Sequence, residues 1–159
     1  MMGGRASRQK GMRREYEVRD HLRKFGYTAD RVPLSGASQG FKGDIRAKRG
    51  ETTTVFEVKA RVAGFDSVYH LFNQNAVLGL LCLEIEGEGE PTLCRISTNP
   101  DLALQSGGVY EPIDHFRGGT LASLRRTGRK CMKMKDWLQG ADVLVIRQDR
   151  QPLLYIRYL

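Results

Sequence analysis

The chain has 159 residues, and 40% of them are hydrophobic, which is enough apolar material for one domain with its own core. The formal net charge of +8 favours a polyanionic partner, usually nucleic acid and less often an anionic membrane; a basic surface that binds neither is the alternative. No apolar run is long enough to span a bilayer, and none follows the basic start as in a secretory signal, so we expect neither.

The cysteines and the short motifs argue against several kinds of site. Cys82, Cys94 and Cys131 are odd in number and far apart, and no Cys-x-x-Cys pair occurs. This spacing disfavours a zinc site and a disulfide framework, so we expect a reduced protein in the cytoplasm. The sequence has neither a GxSxG elbow nor a Walker A loop, which disfavours those hydrolase and nucleotide-binding sites.

The first predicted elements are a tail and a helix. Residues 1–10 are glycine-rich and basic and are predicted to be a flexible tail. Residues 12–25 are predicted to be a helix, because Val18 and Leu22 lie on one apolar stripe at helical spacing. Gly26 follows where a helix commonly ends.

The rest of the pattern mixes strands with helices, which predicts the α/β class with one mixed sheet and a single domain over residues 1–159. Residues 99–130 carry no readable periodicity. The predicted elements are strands at 27–33, 43–48 and 53–60, a helix at 67–75, strands at 78–87 and 92–98, a helix at 132–140 and a closing hairpin at 141–158.

The hairpin at 43–60 brings two carboxylates together. If its turn is centred on Gly50 and Glu51, the positions of facing residues sum to a constant, and Asp44 faces Glu57. Because side chains alternate along a strand, Lys59 shares the face of the two acids. The apolar residues predicted on the opposite face are Ile45, Phe56 and Val58.

Two directly opposed carboxylates destabilise a hairpin unless a cation lies between them. Mg²⁺ binds through one or two carboxylates together with waters and phosphate oxygens, and it polarises a phosphodiester. Lys59 is then placed to orient a water or to stabilise charge on the phosphate. The alternative is an exposed hairpin with ordinary mixed charges, or a register that differs by one residue.

These residues resemble a known superfamily. Gly43-Asp44, a short gap and Glu57-Val58-Lys59 are similar to the core motif of the PD-(D/E)xK nucleases. The upstream stretches EYEVRDHLRKFGY and RVPLSGASQGFKGDI resemble the first helix and the serine-glycine loop of archaeal-type Holliday junction resolvases, including their phage-borne relatives.

The resemblance implies a restriction-endonuclease-like mixed β-sheet flanked by helices, in a homodimer that cuts four-way junctions. It makes Glu15, Asp44 and Glu57 the metal-site acids, with Mg²⁺ as the cofactor and Mn²⁺ as a substitute. It makes Lys59 the catalytic lysine and Ser35 the loop serine that helps place the scissile phosphate. From the residues alone, Ser35 is equally explained by turn chemistry, and Glu15 by a solvated position in a first helical turn.

The chain departs from the family pattern in two places. The superfamily commonly has a proline at the position of Gly43. That proline is also absent from many resolvases. Residues 62–130 match no family pattern and are interpreted as a lineage-specific elaboration that affects substrate choice.

Basic residues crowd the amino end and the stretch 117–135, which contains no acid. Clusters of this kind are more typical of a face that binds a row of phosphates than of an evenly solvated surface. The first cluster taken alone is also explained by a soluble tail. The residues predicted to contact DNA are Arg13, Arg14, Arg31, Lys42, Arg61, Arg125, Arg126, Arg129 and Lys130.

The leading hypothesis is therefore a Mg²⁺-dependent endodeoxyribonuclease that resolves four-way junctions. A related nuclease acting on flaps, ends or duplex DNA has the same active-site motif, so substrate preference distinguishes the two. A non-catalytic DNA-binding protein on the same fold is the alternative from another class, and metal-dependent cleavage distinguishes it.

Overall fold

A computed structural model describes residues 3–33 and 43–159, with side chains from residue 11 onward in those ranges. Four α-helices and eight strands are present in this part of the chain. The helices are α1 (Gly3–Lys24), α2 (Asp66–Asn75), α3 (Pro100–Leu104) and α4 (Leu121–Lys135). The strands are β1 (Thr28–Arg31), β2 (Ile45–Arg49), β3 (Thr52–Arg61), β4 (Leu80–Ile85), β5 (Thr92–Ser97), β6 (Glu111–Pro112), β7 (Val143–Gln148) and β8 (Leu154–Tyr158).

All eight strands lie in one mixed sheet with the order β1-β2-β3-β7-β8-β5-β4-β6. The pairs β3–β7 and β4–β6 are parallel, and the other neighbours are antiparallel. Helices flank this sheet, which confirms the predicted α/β class with a restriction-endonuclease-like mixed sheet.

Each face of the sheet carries its own hydrophobic core. One core lies under α1 and includes Val18, Leu22 and Phe56. The other lies under α2 and α4 and includes residues of both helices together with β4 and β5. Successive residues of β7 alternate between the two cores, so this central strand is buried on both faces.

Helix α1 begins well before its predicted start at residue 12, so residues 3–10 are helical where a flexible tail was predicted. Their arginine, alanine, glutamine and lysine residues are good helix formers, and they extend a helix whose later turns are packed on the sheet. The predicted end is confirmed, because the amides of Gly26 and Tyr27 donate to the carbonyls of Arg23 and Leu22.

The predicted register of the β2–β3 hairpin is confirmed. Ile45 pairs with Phe56, and Arg49 pairs with Thr52, so Gly50 and Glu51 form a two-residue turn. Ile45 and Phe56 are fully buried in the core under α1, and Val58 packs against that core, as the alternation predicted.

Residues 62–130, interpreted as an elaboration, supply three of the eight strands of the sheet, β4, β5 and β6. β4 pairs with β5 and β6, and β5 pairs with β8 of the closing hairpin. Residues 99–130, whose sequence showed no periodicity, contain α3, β6 and most of α4. The helix predicted at 132–140 therefore begins earlier, at Leu121. Thr120 begins that helix by accepting a hydrogen bond from the amide of Ser123.

None of the helices described is both long enough and apolar enough to cross a bilayer.

Candidate active site

Asp44 is fixed just before β2 by three hydrogen bonds to neighbouring strands. Its amide donates to the carbonyl of Phe56, and its carbonyl accepts from the amide of Val32, both at 2.8 Å. Its carboxylate Oδ2 accepts from the amide of Val58, also at 2.8 Å. The Asp44 side chain is therefore held beside β3 at the position of Glu57.

Gly43 explains the missing proline. Its φ is +74°, a left-handed backbone conformation that proline, with φ fixed near −65°, does not adopt. A Cβ atom at this position would also collide with the side chain of Val55 and lie 3.0 Å from the carbonyl oxygen of Phe56. Only glycine lets the chain pass this close to β3 and deliver Asp44.

Glu57 and Lys59 lie on β3 in the alternation that the sequence predicted. The Glu57 side chain is 13% exposed, and its Oε1 lies 3.7 Å from Nζ of Lys59, which is 36% exposed. Burial, together with the negative charge of Asp44, raises the pKa of Glu57 to about 7. The ammonium of Lys59 opposes this shift but does not cancel it.

Glu15 projects from α1 toward the same place. It is 9% exposed, so the solvated alternative is wrong. Burial first, and then the negative charge of Asp44, raise its pKa. Arg31 acts in the opposite direction, because its Nε lies 3.7 Å from Oε1 of Glu15.

These four side chains line one cavity of about 640 Å³, called the acidic cleft below. The structure thus brings together Glu15, Asp44, Glu57 and Lys59, which are up to 44 positions apart in the sequence. The remaining lining residues are Gly11, Arg14, Val58, Ala60, Arg61, Val62 and Ala63.

The acidic cleft offers the oxygen ligands that a hard divalent cation prefers. Asp44 and Glu57 face each other, and the pKa of Glu57 is raised by burial first and then by the negative charge of Asp44. No set of three His, Cys, Asp or Glu side chains is gathered at metal-binding distance within residues 3–33 and 43–159. The pair of carboxylates by itself fits an ion such as Mg²⁺, because that ion needs one or two carboxylates and takes its other ligands from water and phosphate.

The residues predicted to contact DNA fall into separate groups. Arg14 and Arg61 line the acidic cleft, Arg31 stacks on the ring of Tyr16 beside Glu15, and Arg13 is exposed on α1. Arg125 instead points at Asp114, with its Nη2 2.9 Å from Oδ2. Ser35 and Lys42 lie outside the described residues.

The remaining predicted contacts, Arg126, Arg129 and Lys130, line a second cavity of about 780 Å³ beside the cleft, called the basic cavity below. Lys133 and Met134 of α4 also line it, as does the half-buried Trp137 in the turn directly after α4, and Phe65 packs against the indole. This cavity was not predicted from the sequence. The signal was the spacing of residues 126, 129, 130 and 133, which follows one helical face once α4 is known to begin at Leu121.

One comparison with known proteins gives a match. A family model described as "Phage putative PDDEXK endonuclease" matches residues 6–79, just under half of the chain. No curated protein and no solved structure matches the chain. The matched segment contains all four side chains of the acidic cleft, and it supports the PD-(D/E)xK superfamily that the sequence resembles.

Proposed function

We propose that this protein is a Mg²⁺-dependent, structure-selective endodeoxyribonuclease that resolves four-way DNA junctions as a homodimer. The observation that carries the proposal is the opposed pair of Asp44 and Glu57, with Lys59 beside it in an open cleft. The match to an endonuclease family over these residues supports a nuclease.

Asp44 and Glu57 are the residues that would hold the metal ion. When bound there, Mg²⁺ supplies Lewis-acid polarisation of the phosphodiester and of an attacking water. The hydrogen bond from the Val58 amide keeps the Asp44 carboxylate oriented, and burial keeps Glu57 in a site with little bulk water. A hydrogen bond from a backbone amide costs no side-chain ordering when substrate arrives.

Lys59 is the group suited to the charge that develops during hydrolysis. Its side chain is the more exposed of the Lys59–Glu57 pair, so the ammonium can turn from Oε1 of Glu57 toward a phosphate oxygen. Water adds to phosphorus, the bond from phosphorus to the 3′ oxygen breaks, and a proton passes to that oxygen. The products are a 5′-phosphate and a 3′-hydroxyl.

Glu15 is assigned to the same centre as a third acid that acts near the metal site. Its contact with Arg31 and its charge coupling to Asp44 connect α1 to the hairpin. Preference for a four-way junction rests on the resolvase resemblance and on the net charge of +8, since a branched substrate presents several duplex arms to a basic protein.

The test is cleavage of an end-labelled synthetic four-way junction beside a flap and a linear duplex of the same sequence, in Mg²⁺ and in EDTA. We expect paired, symmetric nicks on the junction in Mg²⁺, with at least tenfold slower cleavage of the other two substrates. Equal cleavage of all three would retain the nuclease and overturn the junction preference.

Tight binding without cleavage in Mg²⁺ or Mn²⁺ would overturn the enzyme itself and favour the non-catalytic DNA-binding protein. The oligomeric state is read from the same preparation by light scattering, with and without junction. A monomer that makes a single nick would overturn the homodimer.

A further inference from the structure

The basic cavity is a built site that the nuclease mechanism does not use. One wall is the end of β3 and the segment after it, residues 61–65, and the other wall is α4. The ammonium of Lys130 donates to the carbonyl of Gly64 and ties the two walls together. The cavity therefore has a fixed shape defined by two packed elements.

Its charge is strongly positive and is not neutralised from within. Arg61 and three cations of α4, namely Arg126, Arg129 and Lys133, line it in addition to Lys130. Within the part of the chain that the structure describes, no carboxylate lies within 4.0 Å of the charged groups of those four residues. By contrast, Arg125, the neighbour of Arg126 on α4, is paired with Asp114. Phosphates are the natural partners of such a cluster.

The cavity also offers an aromatic surface. The Trp137 indole is half-buried and packs edge-on against Phe65, with ring centroids 6.0 Å apart. The guanidinium of Arg61 lies over the indole at 5.2 Å from its centroid. Phe65 is 1% exposed, so it supports the indole and leaves Trp137 as the ring that a ligand can reach.

The basic cavity and the acidic cleft are adjacent, because Arg61 and Ala63 line both. Glu57 in the cleft and Arg61 at the boundary lie on one strand, with their Cα atoms about 13 Å apart at about 3.3 Å per residue. That distance is the rise of about four stacked nucleotides. A strand cut in the cleft therefore reaches the basic cavity within a few nucleotides.

We propose that the basic cavity binds an unpaired, single-stranded segment of the same DNA strand that is cut in the acidic cleft, with a base stacked on Trp137. A cationic groove with an aromatic platform is the general solution for binding single strands. A base in duplex is already stacked and cannot enter a recessed cavity, whereas an unpaired base can. The position relative to the cut rests on the proposed nuclease; the binding itself does not.

The chain has one tryptophan, so Trp137 itself reports the binding. Full-length protein in EDTA, where no cleavage occurs, is titrated with a short oligothymidylate, with an abasic strand of equal phosphate count and with a duplex of equal length. We expect oligothymidylate to change Trp137 emission and to bind at least about fivefold more tightly than the abasic strand, because base stacking on an aromatic ring has roughly that effect.

Variants separate stacking from charge, with binding followed by anisotropy of a labelled strand. Trp137→Leu should abolish the preference for oligothymidylate over the abasic strand, and Trp137→Phe should retain most of it. Lys133→Gln should reduce the steepness of the plot of log binding constant against log salt concentration by about 0.7. Lys135→Gln, two positions away on the same helix but outside the cavity, should leave it unchanged.

Equal affinity for the abasic strand and oligothymidylate would overturn the proposal and leave a site for polyanions only. Equal affinity for duplex, with the same emission change, would overturn it in favour of duplex binding. These results are independent of the cleavage test: protein that binds single strands but never cuts contradicts the nuclease, and protein that cuts without any Trp137 response contradicts this site.

Discussion

The two neighbouring cavities differ in charge and in the way the chain builds them. In the acidic cleft, Asp44 and Glu57 come from one hairpin, and a two-residue turn fixes them opposite each other. In the basic cavity, residues 61–65 meet a helix that follows three more strands in the chain. The comparison teaches that opposed carboxylates can be encoded locally, while the neighbouring basic surface depends on the whole topology.

The largest expected effect separates the two cavities by function. Asp44→Asn should slow single-turnover cleavage in Mg²⁺ by roughly 10³-fold or more, because it removes a charge from the pair proposed to hold the cation. Binding of oligothymidylate should change less than twofold. Asp142→Asn is the matched control, since Asp142 Oδ2 accepts from the Val55 amide at 2.8 Å but lies outside the cleft. Equal losses in both variants would mean that Asp44 only holds β3.

A second substitution tests how strictly the backbone builds the acidic cleft. Gly43→Ala should lower the free energy of unfolding by about 2–4 kcal/mol, because a left-handed φ adds strain and the new Cβ collides with Val55. Gly50→Ala, with a φ of +60° but open space around it, should lower it by only about 1 kcal/mol in the same urea titration. Equal changes would contradict a role for the close approach.

The pH dependence of stability tests whether the pKa of Glu57 in the acidic cleft is raised by its burial and by the charge of Asp44. The pKa of Glu57 in the folded protein, about 7, lies above its ordinary value of 4.5, so the native state binds the proton more tightly. The stability that this tighter proton binding adds is complete below about pH 4.5 and is lost as the pH rises through 7. Glu57→Gln should therefore raise the free energy of unfolding of metal-free protein by about 2–3 kcal/mol at pH 8 and scarcely at pH 4.5.

The comparison variant for that measurement is Lys133→Gln in the basic cavity. Its side chain is exposed, so its removal should change stability by no more than about 0.5 kcal/mol at either pH. Added Mg²⁺ should stabilise wild type at pH 8 and not Glu57→Gln. A wild-type curve without the loss between pH 4.5 and 7 would contradict the raised pKa of Glu57.

The smallest expected effect concerns the wall of the cleft on α1. Gly11 is an exposed helix residue, and a Cβ there meets no atom within 4 Å. Gly11→Ala should raise the free energy of unfolding by about 0.5–1 kcal/mol through helix propensity, with cleavage changed less than threefold. Gly11→Phe, which fills the opening, should slow cleavage at least tenfold. Unchanged cleavage in Gly11→Phe would mean that substrate enters elsewhere.

The acidic cleft was largely predictable because its geometry follows from short-range rules. Strand alternation and a two-residue turn suffice to oppose Asp44 and Glu57, and the structure has that register. Glu15 was not derivable in the same way, because its burial depends on how α1 packs across the sheet. It was identified only through the family resemblance.

The basic cavity was not predicted because two kinds of information are missing from the pattern. The stretch around the start of α4 is interrupted by Gly118, Gly119 and Gly128, so its helical period was not recognised. Its basic residues were therefore seen as a cluster along the sequence and not as one face of a helix. Trp137 packs against one hydrophobic core, as is usual for aromatic residues, and yet remains half exposed. Its half-exposure follows from the meeting of α4 with the end of β3, which no local rule gives.

The parallel pairing of β3 with β7 has a consequence for synthesis of the chain. β3 carries Glu57 and Lys59, yet its inner neighbour is separated from it by everything from α2 to α4. Closing so long a loop makes this pairing a late event in folding. On a ribosome, the acids of the cleft emerge early, but Val143 and Val145, which share a core with Phe56, emerge near the end. We therefore expect partly synthesised chains to hold an unfinished cleft, so that cutting activity appears only after β7 is in place.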